Sequence, residues 1–277
     1  MDIGAYNYLR VERATSVGWF LKDDEGEEVL LPNKWAPPQI SEGAKLKVFV
    51  YLDSEERPIA TTQKPLATVG DFAHLKVRQV TSFGAFLEWG LEKDLLVPFS
   101  EMEVPMEAGR SYPMALYLDA KTNRVVASSR LKRFFKTNTE DLEKHQEVSI
   151  LVWNKSELGV QAVVENSFAG LLYHNELFEP LNIGQQRKAY ISNIRADGKL
   201  DLRLQKPGVA NIEPNAAKIL EALKASPQGF LPLHDKSEPE AISAALGMSK
   251  KTFKKAVGTL YKQKLIEIKN GKGIQLK

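Results

Sequence analysis

Cysteine is absent from the 277 residues. That excludes disulfides, thiolate-bound zinc and a thiol nucleophile, and it fits a reducing compartment. No stretch of about 18 apolar residues occurs, so no helical membrane span is expected. The opening MDIGAYNYLR has no basic segment followed by an apolar run, so no secretory leader is expected and the cytoplasm is the expected location. Phosphate-cradling glycine loops are missing in both common forms. Histidine is scarce: His74, His145, His174 and His234 lie far apart, and none has a partner at metal-ligand spacing. Acidic residues cluster at 23–28 and at Glu55-Glu56, which read as solvated hairpin turns. No metal, cofactor or catalytic residue is expected, and the chain reads as a non-enzyme.

What is present suits several small domains. Apolar residues make up 43 %, enough for real cores, and the length fits two to four domains. The net charge of +3 hides an asymmetry. From Asn211 onward there are 12 Lys and no Arg against 6 acidic residues, whereas the rest of the chain is mildly acidic. A basic end on an acidic body suggests one element facing a polyanion, with a solvated lysine-rich face as the plain alternative.

Residues 76–102, KVRQVTSFGAFLEWGLEKDLLVPFSEM, form the most legible stretch. They alternate as a half-buried strand, break at a glycine between aromatics and resume as a second apolar strand. The pattern occurs three times, around Gly18, Gly84 and Gly159. Each of these is followed by another glycine, Gly43, Gly109 or Gly184, always 25 residues later. The first two copies also share Tyr-Leu-Asp, at Tyr51–Asp53 and Tyr117–Asp119. Spacings of 66 and 75 residues are too long for a solenoid and fit complete domains in tandem. Short alternating strands bounded by Gly, Pro, Asn and Asp, with no strong helix, predict small closed β-barrels. The shared glycine inside strand two is expected to form a bulge or sharp bend.

The second copy resembles the S-one-type RNA-binding barrel, an OB-fold. Phe83-Gly84-Ala85-Phe86 matches that family's Phe-Gly-x-Phe. Leu95-Leu96-Val97-Pro98-Phe99-Ser100-Glu101 matches its next motif, with Pro98 where the family has histidine. Arg124–Ser128 matches the last motif loosely. The first copy keeps Gly18, Trp19 and Phe20, with Val17 at the leading aromatic and Pro32 at the histidine. The third has Leu158 and Gln161 at the aromatics and Tyr173 at the histidine. Nucleic-acid contact is therefore expected most in the second barrel and least in the third.

The last module changes period. Residues 216–225 and 238–246 read as helices, with Pro239 in the first turn of the second and Gly247 stopping it. Ser249 caps a third over 250–263, with Phe253, Val257 and Leu260 as its buried stripe. Two short strands around the 270–273 turn complete a winged helix. A further short helix is expected at 138–145, capped by Thr139, and the β-to-α junction at 206–215. The fold class is mainly β with a C-terminal α/β module: three tandem OB-fold barrels (1–64, 65–138, 139–208) and a winged helix-turn-helix (211–277). This combination resembles the conserved virulence factor B family, a resemblance that implies an RNA-binding regulatory role.

Phe83 and Phe86 are the sharpest candidates for stacking single-stranded RNA bases, with Trp19 and Phe20 as counterparts in the first barrel. The plain alternative is that the rings fill barrel cores. Parity places Phe86 beside Glu88, hence outward, and Trp89 with Ala85 and Leu87, hence inward. Lys76, Arg78, Arg124 and Arg130 are candidate phosphate contacts, with Lys132 and Arg133 extending the basic run. In the winged helix, Lys250, Lys251, Lys254, Lys255 and Lys272 are candidates for sequence-independent attraction, since none of them reads base edges in a bidentate way. The expected partner is single-stranded RNA, with DNA as an alternative, no membrane, and a monomeric chain. Competing readings are a winged-helix DNA-binding transcription regulator and a protein-interaction scaffold.

Overall fold

Two-residue alternation builds the barrel walls. In β1 (Ala5–Ala14), Leu9 and Val11 are buried while Tyr8 and Arg10 face water. β2 (Gly18–Lys22), β3 (Glu28–Pro32), β4 (Lys45–Leu52) and β5 (Pro58–Thr61) complete a closed barrel in the order β1-β2-β3-β5-β4, with β3 and β5 parallel. The computed structural model describes residues 1–177, 179–205, 214–262, 264–269 and 271–277. It divides into two units, Met1–Lys206 and Pro207–Lys277.

The order recurs in the next two barrels. One comprises β6 (Phe72–Thr81), β7 (Gly84–Leu87), β8 (Leu95–Pro98), β9 (Ser111–Asp119) and β10 (Arg124–Ser128). The other comprises β11 (Glu147–Lys155), β12 (Gly159–Val164), β13 (Phe168–Tyr173), β14 (Gln186–Ile194) and β15 (Leu200–Arg203). The protein is thus mainly β, with three five-stranded barrels before a winged-helix region.

The glycine spacing has a physical cause, and it corrects one expectation. Gly18, Gly84 and Gly159 do not bulge strand two; each begins it, facing Pro32, Pro98 and Tyr173 across the ladder. A Cβ there would lie 2.3, 2.2 and 2.0 Å from the carbonyl oxygens of Leu31, Val97 and Leu172. The bulge sits in strand one instead, at Glu12, Arg78 and Trp153, between residues whose partners are consecutive. Gly43, Gly109 and Gly184 then turn the chain with positive φ, and each N–H donates to the carbonyl just before the bulge, Val11, Val77 or Val152, at 2.8 Å.

Barrels one and two share a continuous core. Phe49 and Tyr51 of β4 meet Trp89 edge-on at 5.8 and 6.4 Å. Lys93 Nζ donates to the carbonyls of Leu52 (3.0 Å) and Asp53 (2.6 Å). Barrels two and three meet through Phe72, Phe135 and Trp153, whose rings follow one another at 5.2 and 6.1 Å.

No helix forms at 138–145. Leu142 and Gln146 close separate turns onto Thr139 and Glu143, and His145 has φ 75°, which a helix does not accommodate. Pairing to β14 wins: His145 N–H donates to the Ile191 carbonyl (2.8 Å) and Ile191 N–H to that of Gln146 (3.0 Å).

The second unit contains α1 (Pro214–Ala225), α2 (Pro239–Leu246) and α3 (Lys250–Lys262), and a sheet of β16 (Phe230–Leu231), β17 (Ile266–Lys269) and β18 (Gly273–Leu276) in the order β16-β18-β17. Gly247 ends α2 in the left-handed region, and Ser249 Oγ accepts the Thr252 N–H (3.2 Å) to start α3. The buried stripe of α3 is Phe253, Ala256 and Leu260; Val257, expected within it, is half-buried. Most of the 206–215 junction, Gln263 at the expected end of α3 and Asn270 of the expected 270–273 turn lie outside the described residues.

Candidate nucleic-acid interface

The outer surface of β7 follows from its register. Ala85 and Leu87 point into the core and are fully buried, so Phe86 points out, half-buried between Gln79 and Leu96. Phe83 precedes the strand and is 75 % exposed. Its counterparts, Val17 at 61 % and Leu158 at 68 %, show that the position before the strand-two glycine is open in all three barrels. Only barrel two fills it with an aromatic ring. Phe99, absent from the sequence-derived candidates, follows Pro98, the cross-strand partner of Gly84, and is 54 % exposed. Two exposed rings thus flank one strand pair.

Phe83 and Phe86 border a cavity of about 220 Å³ whose wall includes Trp89, Lys93 and Arg124 of the same barrel and is completed by Tyr51 of the first barrel. Trp89 is buried, as its parity predicts, and its indole N–H donates to the Lys93 carbonyl (2.6 Å). Burial, with Glu92 and Asp53 nearby, pushes the Tyr51 phenol up to about 12. It therefore stays a neutral donor at physiological pH. Burial also lowers the Lys93 ammonium, partly offset by Asp53. Asp94, in the same wall, is pushed up by burial against the pull of Arg78.

The candidate cations are less available than their sequence positions suggest. Arg124 pairs with Glu56 of the first barrel. Arg78, at the β6 bulge, lies 3.1 Å from Asp94 and 3.6 Å from Glu88. Arg130 is committed to structure: its Nε donates to the Ser100 carbonyl (2.9 Å) and its Nη2 to that of Met102 (3.1 Å), acceptors the turn after β8 leaves unused. Arg133 holds Glu101 through both carboxylate oxygens, at 3.0 and 3.1 Å. Burial alone would raise Glu101, but Ser128 and Arg133 outweigh it and keep the carboxyl below its usual range. Lys76 and Lys132 are exposed.

In the first barrel, Phe20 occupies the place of Phe86, half-buried beneath the Arg13 guanidinium at 4.2 Å. Trp19 aligns with inward Ala85 and packs partly on the core. The third barrel spends its equivalent face on itself: Arg195 donates to the Tyr173 hydroxyl (2.8 Å) and through Nε to Asp201 (2.8 Å). In the winged-helix unit, Lys251, Lys254 and Lys255 are exposed on α3, Lys250 is half-buried, and Lys272 is exposed beside the hairpin turn.

Residues 3–63 and 69–129 each match an S1 domain model, and residues 217–276 match a CvfB-like winged helix domain. A conserved virulence factor B of Staphylococcus saprophyticus is 24 % identical over 279 residues, spanning 98 % of this chain and 93 % of that one. The chain is thus similar to conserved virulence factor B proteins over almost its whole length. The YitL protein of Bacillus subtilis is also similar to this chain, 26 % identical over 95 % of this chain and 90 % of its own. A crystal structure of a Streptococcus pneumoniae multidomain protein with nucleic acid binding domains aligns over 99 % of this chain and 98 % of that one, at 24 % identity and a TM-score of 0.43. The S1 domains and the winged helix indicate nucleic-acid binding; they are not enzymatic families. Among the described residues, no helix is long and apolar enough to cross a membrane.

Proposed function

We propose that this protein is a non-enzymatic, cytoplasmic RNA-binding regulator whose second barrel holds single-stranded RNA. The domain limits are 1–64, 65–138, 139–208 and 211–277. The observation that carries the reading is the exposed Phe83 ring beside half-buried Phe86, over a cavity with neutral Tyr51 in its wall. Flat rings on a barrel surface stack unpaired bases without demanding a sequence. A duplex keeps its bases stacked on each other, so this surface favours single strands.

Because Arg78, Arg124 and Arg130 are engaged within the chain, stacking supplies more of the affinity than phosphate contact. Lys76 supplies charge beside the barrel, Phe20 and Trp19 a weaker surface on the first barrel, and Lys250, Lys251, Lys254, Lys255 and Lys272 a non-specific electrostatic contribution. The test is single-stranded RNA binding by Phe83→Ala and by Phe83→Ala with Phe86→Ala. Each stacked base is worth roughly 1–3 kcal/mol, so the double variant loses about tenfold or more. Unchanged affinity in a folded double variant refutes the reading.

A further inference from the structure

OB-folds present strands two and three to their ligands. In the first barrel a different face, the outer side of β1 and β4, also combines exposed rings with cations. Tyr6 and Tyr8 stand on the outward parity of β1, 38 % and 70 % exposed. Across the ladder, Tyr8 faces Lys47 and Arg10 faces Lys45. The Lys47 ammonium lies 4.8 Å from the Tyr6 ring centre and 5.8 Å from that of Tyr8, so it sits over both rings. Arg10 pairs with Glu12 at 3.1 Å. Lys45 and Lys47 have no carboxylate within ion-pair distance among the described residues.

Tyr6 is held rigidly. Its ring meets Phe49 edge-on at 5.6 Å, and Phe49 meets Trp89 at 5.8 Å. Ring contacts therefore run from Tyr6 through buried Phe49, at the junction between barrels, to Trp89 in the wall of the Phe83/Phe86 cavity, and Lys47 joins Tyr8 to Tyr6 at the outer end. Side chains two residues apart on a strand are about 6.7 Å apart. That step suits successive nucleotides of an extended strand, with bases on the tyrosines and phosphates toward Lys45 and Lys47.

We propose that Tyr6, Tyr8, Lys45 and Lys47 form a second platform for single-stranded nucleic acid, which takes the strand after it leaves the barrel-two site. The proposal rests on that site only for the path of the strand; the platform binds by its own chemistry. Two lysines without a carboxylate partner among the described residues and two exposed rings on a pleated surface match a phosphodiester chain with splayed bases better than they match an apolar protein groove.

The test uses the full chain and oligouridylates of about 4 and about 16 nucleotides, the span of OB-fold site sizes. Tyr8→Ala with Lys47→Ala weakens the long strand at least about fivefold and leaves the short one, held by barrel two, unchanged. Tyr8→Phe retains binding. Removing Lys45 and Lys47 lowers the slope of log affinity against log salt by about 0.7 per lysine for the long strand only. Long-strand affinity and slope unchanged in the folded Tyr8/Lys47 variant overturn the platform. If Phe83→Ala with Phe86→Ala leaves RNA binding intact while the Tyr8/Lys47 variant weakens it, the barrel-two reading fails and the platform stands.

Discussion

Gly84 lies so close to Val97 that a Cβ on it would sit 2.2 Å from the Val97 carbonyl oxygen, at a φ of 144°. Strand two reaches strand three only because that atom is missing. Gly84→Ala must therefore part the two strands that Phe83 and Phe99 flank. It is expected to cost at least about 2 kcal/mol in denaturant unfolding. Gly159→Ala, with a 2.0 Å approach to Leu172, has a cost of the same order. Ala at Gly109, where nothing lies within 4 Å, meets only the penalty of its positive φ and is milder.

Lys93 fastens barrel two to the end of β4 through two carbonyls. Lys93→Ala leaves both acceptors without that donor, for a loss of about 1–3 kcal/mol. The same variant opens the wall of the cavity, so RNA affinity falls together with the unfolding midpoint. A loss of affinity with unaltered stability would point to direct phosphate contact by Lys93 instead.

Arg124 is held by Glu56, and that pairing limits its use as a phosphate ligand. Glu56→Gln releases it. The expected result is tighter RNA binding with a steeper salt dependence, by up to about 0.7 in slope for one more phosphate contact to a single strand. Arg130→Ala should behave oppositely to a phosphate ligand, lowering thermal stability because the Ser100 and Met102 carbonyls lose their donor.

His74 packs against barrel three, where a Cβ on Gly184 would meet its ring at 2.1 Å. Burial lowers its basicity, and a backbone hydrogen bond at Ser111 only partly opposes this. The unfolded chain then binds more protons than the folded one between the folded and unfolded pKa values. Stability contributed by neutral His74 is complete above about pH 6.5 and declines as pH falls through the folded pKa. Denaturant melts across this range should show that slope, and His74→Gln should flatten it.

The barrel repeat was readable because its glycines answer to backbone contacts, which recur wherever the fold recurs. Gly43, Gly109 and Gly184 bond the same carbonyl position in each copy, so their spacing survives divergence of the side chains. Phe83 was readable for a related reason, since its exposure depends on its place before strand two. The partners of Arg78, Arg124 and Arg130 were not readable, because Asp94, Glu56 and the Ser100 carbonyl reach them only after the barrels close and dock. The 138–145 segment carries a helix-like start, and pairing with Ile191, far along the chain, overrides it. Tyr6 and Tyr8 sit in a strand whose alternation alone accounts for them, and Lys47 joins them only through the β1–β4 register.

The most direct measurement is photo-crosslinking of the full chain to a single-stranded RNA carrying photoreactive uridine, with the attached peptides mapped by mass spectrometry. Adducts are expected within residues 80–89, centred on Phe83, and at Phe99. Adducts confined to residues 250–264, with none on the second barrel, would contradict single-strand binding at that barrel.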